Sequence, residues 1–304
     1  MLRRTLLHLS EKGWLRRWME RSAISRKLTS RFIAGSTLGD GILVLKRLLR
    51  DRTLGTLDFL GENVKSLQEA AQSRGAYIAA LNEIERERLP ATVSIKLTQF
   101  GLDFSEEDCR ANVVALVERA AAMKSRIEID MESSDYTDRT LAIVTYLQDR
   151  FPGLVRAVIQ AYLYRSEDDI RMLSDRNIPV RLCKGAYNEP AAVAFPAKAD
   201  VDANYVKLMK LLLEQGTYPA IASHDEKIIR EALRHIQEQK ISHERFEFQM
   251  LYGIRRDLQR ELVGQDFRLR LYVPYGDAWY PYFMRRLAER PANLLFLARN
   301  LLRS

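Results

Sequence analysis

Eight short apolar runs alternate with long amphipathic stretches along this chain, and nearly every run ends in a charged or hydrogen-bonding residue. Apolar runs of this length, each followed by a helical pattern, favour parallel strands joined by crossover helices. Eight such units in 304 residues predict an α/β fold of the (β/α)8 TIM-barrel type, with chemistry gathered at the C-terminal ends of the strands. The expected strands are residues 57–60, 92–97, 127–132, 155–163, 179–184, 219–223, 246–251 and 269–273, with helices such as 64–86, 106–123 and 136–150 between them. A doubly wound open sheet is the alternative. It is disfavoured because no G-x-G-x-x-G fingerprint follows the first strand.

Residues 1–45 read as an N-terminal helical extension and 46–304 as the barrel domain. The stretch Gly35-Ser36-Thr37-Leu38-Gly39-Asp40-Gly41 follows no expected strand and lacks the Lys-Ser/Thr ending of a phosphate loop. A turn is expected there instead, with Asp40 capping a helix that runs through Leu49.

An apolar fraction of 47% and a charged fraction of 29% suit a soluble globular enzyme. Only Cys109 and Cys183 are present, without CxxC spacing, so a disulfide framework is not expected and a reducing cytoplasm fits. The formal charge is +8, and part of the excess lies in Arg3, Arg4, Lys12, Arg16, Arg17, Arg21, Arg26 and Lys27. Trp14, Leu15, Trp18 and Met19 form an apolar stripe beside these cations. Such a helix suits packing on the barrel, peripheral contact with the inner face of an anionic membrane, or self-association into a homo-oligomer. Nucleic acid is not expected, because no aromatic residues interleave the basic ones and no nucleic-acid module is recognisable.

The strand-end residues Lys96, Asp130, Gln160, Arg181, Lys184, His224, Gln249 and Tyr272 form the candidate site. Several chemistries compete for them. Lys96 or Lys184 could serve a Schiff-base aldolase. Asp130, Glu132, His224 and Asp225 could serve a metal-dependent lyase, although a chain with four histidines speaks against a metal. A non-enzymatic, basic membrane-binding protein is a third class. The last unit is the most specific: Tyr272-Val273-Pro274-Tyr275-Gly276-Asp277, followed by Tyr282, Arg285, Arg286 and Glu289. On a helix those four fall within an arc of roughly 100°. Phe283, Met284, Leu287 and Ala288 take the other side. A double-arginine fork of this kind holds carboxylates or phosphates.

Arg181-Leu182-Cys183-Lys184-Gly185-Ala186-Tyr187, Asp130-Met131-Glu132 and the segment Tyr272 to Glu289 together resemble proline dehydrogenase, in its small, single-activity bacterial form. The resemblance extends roughly over residues 32–293. It implies a distorted (β/α)8 barrel that holds FAD without a Rossmann domain, and oxidation of L-proline to Δ1-pyrroline-5-carboxylate with hydride passing to flavin N5. By resemblance, Arg181 lies near N5, and Lys184, Gly185 and Ala186 contact the cofactor. Met131, Gln160, Ser223 and His224 match further FAD contacts, with serine at 223 where relatives often carry threonine. Lys96, Arg285 and Arg286 match the substrate-carboxylate site, lined by Tyr272, Tyr282 and Glu289. Asp58 and Glu62 match a gate in which Glu62 closes by pairing with Arg285. Asp130 is expected to orient Lys96 or Arg181. The resemblance also implies a membrane quinone as electron acceptor and pyrroline-5-carboxylate dehydrogenase as functional partner.

Overall fold

The computed structural model describes residues 29–61, 64–280 and 282–284. Helix α1 (Leu38–Arg50) leads into β1 (Leu54–Phe59). There follow α2 (Leu67–Arg86), β2 (Ala91–Ile95), α3 (Glu106–Ala122), β3 (Ile127–Ile129), α4 (Thr137–Arg150) and β4 (Val155–Gln160). The second half continues with α5 (Ser166–Asp175), β5 (Val180–Cys183), α6 (Lys198–Gln215), β6 (Ala220–Ala222), α7 (Glu226–Glu238), β7 (Glu247–Leu251), α8 (Arg256–Gly264) and β8 (Leu269–Tyr275). The strands pair in parallel in chain order, and β8 closes on β1 through Leu54↔Arg270 to Phe59↔Tyr275. The fold is the eight-stranded α/β barrel that the alternating pattern predicts.

Local chemistry explains the element ends. Asp40 does not cap α1 as the N-cap residue. Thr37 does: its hydroxyl accepts from the Asp40 N–H at 3.2 Å, and the Asp40 carboxylate accepts from the Thr37 N–H at 3.0 Å. Ser66 and Ser105 cap α2 and α3 through the N–H groups of Glu69 and Asp108. Strand β1 begins three residues earlier than expected, because Gly55, a poor strand former on its own, is held between β2 and β8. Strand β3 stops at Ile129 rather than residue 132, and β4 at Gln160 rather than 163. Strand β8 runs past Pro274 to Tyr275, since the Pro274 carbonyl accepts from Ala34 N–H and the Tyr275 carbonyl from Leu60 N–H.

The residues that alternate outward on the strands, among them Leu57, Val93, Ile129, Ile159, Leu182, Phe248 and Leu271, join the helices in one continuous apolar core. Ile42, Val44, Leu45 and Leu48 of α1 belong to the same core, so this helix spans residue 45 without a break. The barrel interior is different. Such interiors are usually layered with Val, Ile and Leu. Here it holds Lys96, Arg156, Arg181 and Arg270 against Asp58, Glu128, Asp130 and Glu247, all buried. A smaller cluster of Phe32, Ile33, Leu60, Tyr280, Tyr282, Phe283 and Met284 packs separately.

Candidate active site

The interior charges form two connected tiers. In the lower tier Glu247 accepts from Arg156 Nη1 at 2.6 Å, Arg270 Nε at 2.9 Å and Gln249 Nε2 at 2.7 Å. The Arg156 Nη2 and Arg270 Nη1 groups also reach the carbonyls of Tyr218 and Gly55. Burying charge is expensive unless it is paired, and these arginines and carboxylates pair with one another, although Arg156 Nε has no hydrogen-bond partner. The upper tier lies toward the strand C-termini. Asp130 is its centre. It accepts from Ser94 Oγ at 2.8 Å, from Tyr272 OH at 2.8 Å, from Lys96 Nζ at 3.3 Å and from the Arg181 guanidinium. Lys96 also donates to Asp58 at 3.3 Å. The Arg181 guanidinium carbon stands 5.4 Å from the centre of the Tyr272 ring, a cation–π distance.

These contacts set the protonation states. Burial alone would raise the Asp130 carboxyl, but Arg181, Lys96 and the hydrogen bonds from Ser94 and Tyr272 more than reverse this and hold it below the usual carboxylate range. Burial pushes the Tyr272 phenol well up, and the nearby Asp130 and Asp58 charges push it further, so it stays protonated and donates. Burial disfavours the Arg181 charge, yet Asp130 and Glu128 strengthen it beyond that of a free arginine. Asp130 thus contacts both Lys96 and Arg181 rather than one of them. Lys96, ion-paired with two carboxylates, is not in the apolar or cationic setting that a Schiff-base lysine needs.

The other expected residues sit around this centre. Gln160 ends β4, 3% exposed, and donates to the Glu132 carbonyl at 2.8 Å. Met131 is buried in the main apolar core. Lys184 follows β5 and pairs with Asp202 and, at 2.8 Å, with Asp225. Ser223 Oγ accepts from Asp225 N–H at 3.1 Å. His224 Nε2 accepts from Leu251 N–H at 2.8 Å, which places its own ring proton on Nδ1 and makes that atom a donor. Gly185 takes φ +116°, and Ala186 beside it is exposed. Asp130, Glu132, His224 and Asp225 do not converge: Glu132 accepts from Thr98 N–H and hydroxyl, and Asp225 caps α7. Tyr282 is 6% exposed and buried with Phe283 and Met284, so it shares their apolar cluster instead of opposing it. Glu62, Arg285, Arg286 and Glu289 lie outside the described residues.

Comparison with known proteins fits this geometry. The proline dehydrogenase family model matches residues 44–299. The chain belongs to the proline dehydrogenase family. It is 41% identical to proline dehydrogenase 1 of Bacillus subtilis over 303 residues, covering 100% of both chains. It is 40% identical to the proline dehydrogenase of Deinococcus radiodurans over 280 residues, 91% of this chain and 90% of that one. Among solved structures, proline utilization A from Bdellovibrio bacteriovorus, inactivated by N-propargylglycine, superposes with a TM-score of 0.82 at 26% identity over 87% of this chain. The chain spans 33% of that longer protein. This is therefore an enzyme of the proline dehydrogenase kind, an oxidoreductase on a TIM-type barrel. No helix among the described residues is long and apolar enough to cross a membrane.

Glu128, Arg156, Glu247, Arg270, Ser94 and Thr92 are the site residues that sequence reasoning missed. Their signal was nevertheless visible. Ile127-Glu128-Ile129, Phe246-Glu247-Phe248 and Leu269-Arg270-Leu271 each set one charge between two apolar residues in a strand that a barrel buries on both faces.

Proposed function

We propose that the protein oxidises L-proline to Δ1-pyrroline-5-carboxylate with FAD as its redox cofactor and passes the electrons to a membrane quinone. The observation that carries this reading is the Arg181 guanidinium held at the strand C-termini by Asp130 and Ser94, with Lys96 beside them. A fixed cation there favours the more negative, reduced form of a flavin. The donor chemistry suits FAD: Arg181, Lys184, the Gln160 amide, the Ser223 hydroxyl and the Nδ1–H of His224 gather at one end of the barrel. Met131, Gly185 and Ala186 complete the proposed cofactor set. When bound, FAD supplies the two-electron acceptor.

The chain's own residues do the rest. Lys96, Arg285 and Arg286 bind the proline carboxylate with charge-assisted hydrogen bonds. Tyr272 and Tyr282 line the space for the ring, with Glu289 beside them. Asp130 orients Lys96 and Arg181 together and keeps both cations in place while the substrate changes charge. Asp58 and Glu62 form the entrance, which Glu62 closes by pairing with Arg285. The basic N-terminal segment would bring the enzyme to the inner face of an anionic membrane, and a pyrroline-5-carboxylate dehydrogenase would take the product.

The absorbance spectrum of the purified protein tests the reading. A bound flavin should be visible and should bleach on adding L-proline under anaerobic conditions. A colourless protein that stays colourless after incubation with FAD, or a flavin that proline does not bleach, overturns it.

A further inference from the structure

Glu128 is the residue that joins the two tiers. Its Oε1 faces down, accepting from Thr92 Oγ1 at 3.1 Å and Arg156 Nη1 at 3.3 Å. Its Oε2 faces up, accepting from Arg181 Nη1 at 2.9 Å and Gln249 Nε2 at 3.2 Å. The Gln249 carbonyl accepts from the same Arg181 Nη1 at 3.2 Å. Glu128 is fully buried, so none of these bonds is exchanged with water. On the other side, Arg181 Nη2 donates to Ser94 Oγ at 2.9 Å and to Asp130. The guanidinium is therefore gripped on both terminal nitrogens by groups from β2, β3 and β7.

The two carboxylates around Arg181 are not equivalent. Asp130 also serves Lys96 and Tyr272 and belongs to the site's front. Glu128 touches nothing at the strand ends other than Arg181 and Gln249. Its remaining bonds anchor it to the rigid floor of Arg156, Glu247 and Arg270. The floor's two arginines, Arg156 and Arg270, outnumber its one carboxylate, Glu247, and Glu128 supplies the second negative charge through Arg156 at 3.3 Å. The same carboxylate also places a fixed negative charge 2.9 Å behind the Arg181 cation.

We propose that Glu128, with Gln249, is a positioning residue that fixes the Arg181 guanidinium and trims the positive field it projects into the cofactor site, so setting the reduction potential of the bound flavin. The inference rests on the FAD reading above. It also explains why a charge is tolerated deep in a barrel that an apolar layer would fill at less cost. A cation paired with two carboxylates delivers less field than one paired with a single carboxylate. Removing the Glu128 charge should therefore favour the reduced flavin, and adding a charge at Gln249 should disfavour it.

The test uses the holoenzyme and compares wild type with Glu128→Gln and Gln249→Glu. Three readouts are taken: unfolding by urea, FAD affinity of the apoprotein by quenching of flavin fluorescence, and the two-electron midpoint potential of the bound flavin. Glu128→Gln should shift the reduction equilibrium about tenfold toward the reduced form, which for two electrons is a rise of about 30 mV. Gln249→Glu should shift it in the opposite direction. A role confined to packing would alter unfolding in both variants and leave the sign of the potential unrelated to the charge change. Potentials that stay at the wild-type value, or that move the same way in both variants, overturn the proposal. If Glu128→Gln does not fold, the downward shift in Gln249→Glu decides alone. Failure of the wild type to hold FAD would sink the flavin reading instead, so the two failures are told apart.

Discussion

The Tyr272 hydroxyl donates to Asp130 Oδ2 at 2.8 Å, and this single bond ties β8 to β3 across the barrel mouth. Lys96 Nζ donates to the same hydroxyl at 3.4 Å, so the phenol both receives from the cation and gives to the anion. Tyr272→Phe keeps the ring and its cation–π contact with Arg181 and removes only this relay. Hydrogen bonds to charged groups are worth about 1.5–3 kcal/mol. Urea unfolding should show a loss of that order in Tyr272→Phe with an unchanged m value. In an Asp130→Asn background the same substitution should lose much less, because the charged acceptor is already gone. Equal losses in both backgrounds would show that the bond does not couple the two residues.

Asp130 also sets a pH dependence. Burial opposes its ionisation, but Arg181 and Lys96 dominate, and its folded-state carboxyl titrates below its unfolded value. A carboxyl depressed in this way adds stability that is fully present above the unfolded value, about pH 4. That stability is lost as pH falls through the lower, folded value. The stability gap between wild type and Asp130→Asn should therefore be constant from neutral pH to about pH 5 and shrink below about pH 4. Denaturation midpoints measured in that series check it. A gap that widens on acidification would mean that Asp130 is protonated in the native protein.

How much of this was legible follows from the physics of parallel strands. A strand buried on both faces reads as an apolar run, which is why all eight appeared in order and only their ends moved. The ends moved where backbone pairing outweighs side-chain preference. Gly55 and Pro274 are poor strand residues, yet both sit in ladders because β1 and β8 close the barrel. The front of the site was legible in part: Lys96 and Asp130 directly follow their apolar runs, whereas Arg181 and Tyr272, expected at strand ends, lie inside β5 and β8. The floor was not read. Glu128, Arg156, Glu247 and Arg270 lie inside their runs, and only the partner across the barrel explains each one. Such pairings join residues 23 to 91 positions apart, and strand periodicity carries no information about them.

Two glycines should respond in opposite directions. Gly185 has φ +116°, and a Cβ there would stand 2.4 Å from the Tyr162 ring. The ring is also held by Glu189, which accepts from the Tyr162 hydroxyl at 3.3 Å and from Ser134 N–H at 2.9 Å. Gly185→Ala must therefore strain the backbone or displace the loop after β5, at about 1–3 kcal/mol. Since this loop carries the proposed cofactor contacts, FAD affinity should fall by roughly 5- to 150-fold. Gly75 lies within α2 with open space around the missing Cβ. Gly75→Ala should stabilise by about 0.5–1 kcal/mol with FAD affinity unchanged. Fluorescence titration of the apoproteins with FAD separates the two. An unaltered affinity in Gly185→Ala would remove this loop from the cofactor site.

Arg286→Met tests the carboxylate clamp. Arg285 and Arg286 follow directly on Met284, which anchors the start of this segment in the cluster with Phe32, Leu60 and Phe283. Loss of one charged hydrogen bond to the substrate should lower kcat/KM for proline by roughly 10- to 200-fold. Most of the loss should appear in KM, because the carboxylate is bound equally in the ground and transition states and takes no part in hydride loss. FAD should remain bound, since the proposed cofactor contacts lie on β3 to β6 and the segments that follow them. Steady-state kinetics with a soluble dye as acceptor, together with the flavin absorbance per protein, give both numbers. Wild-type KM in the variant would sink the clamp, and loss of the flavin would move Arg286 from the substrate to the cofactor.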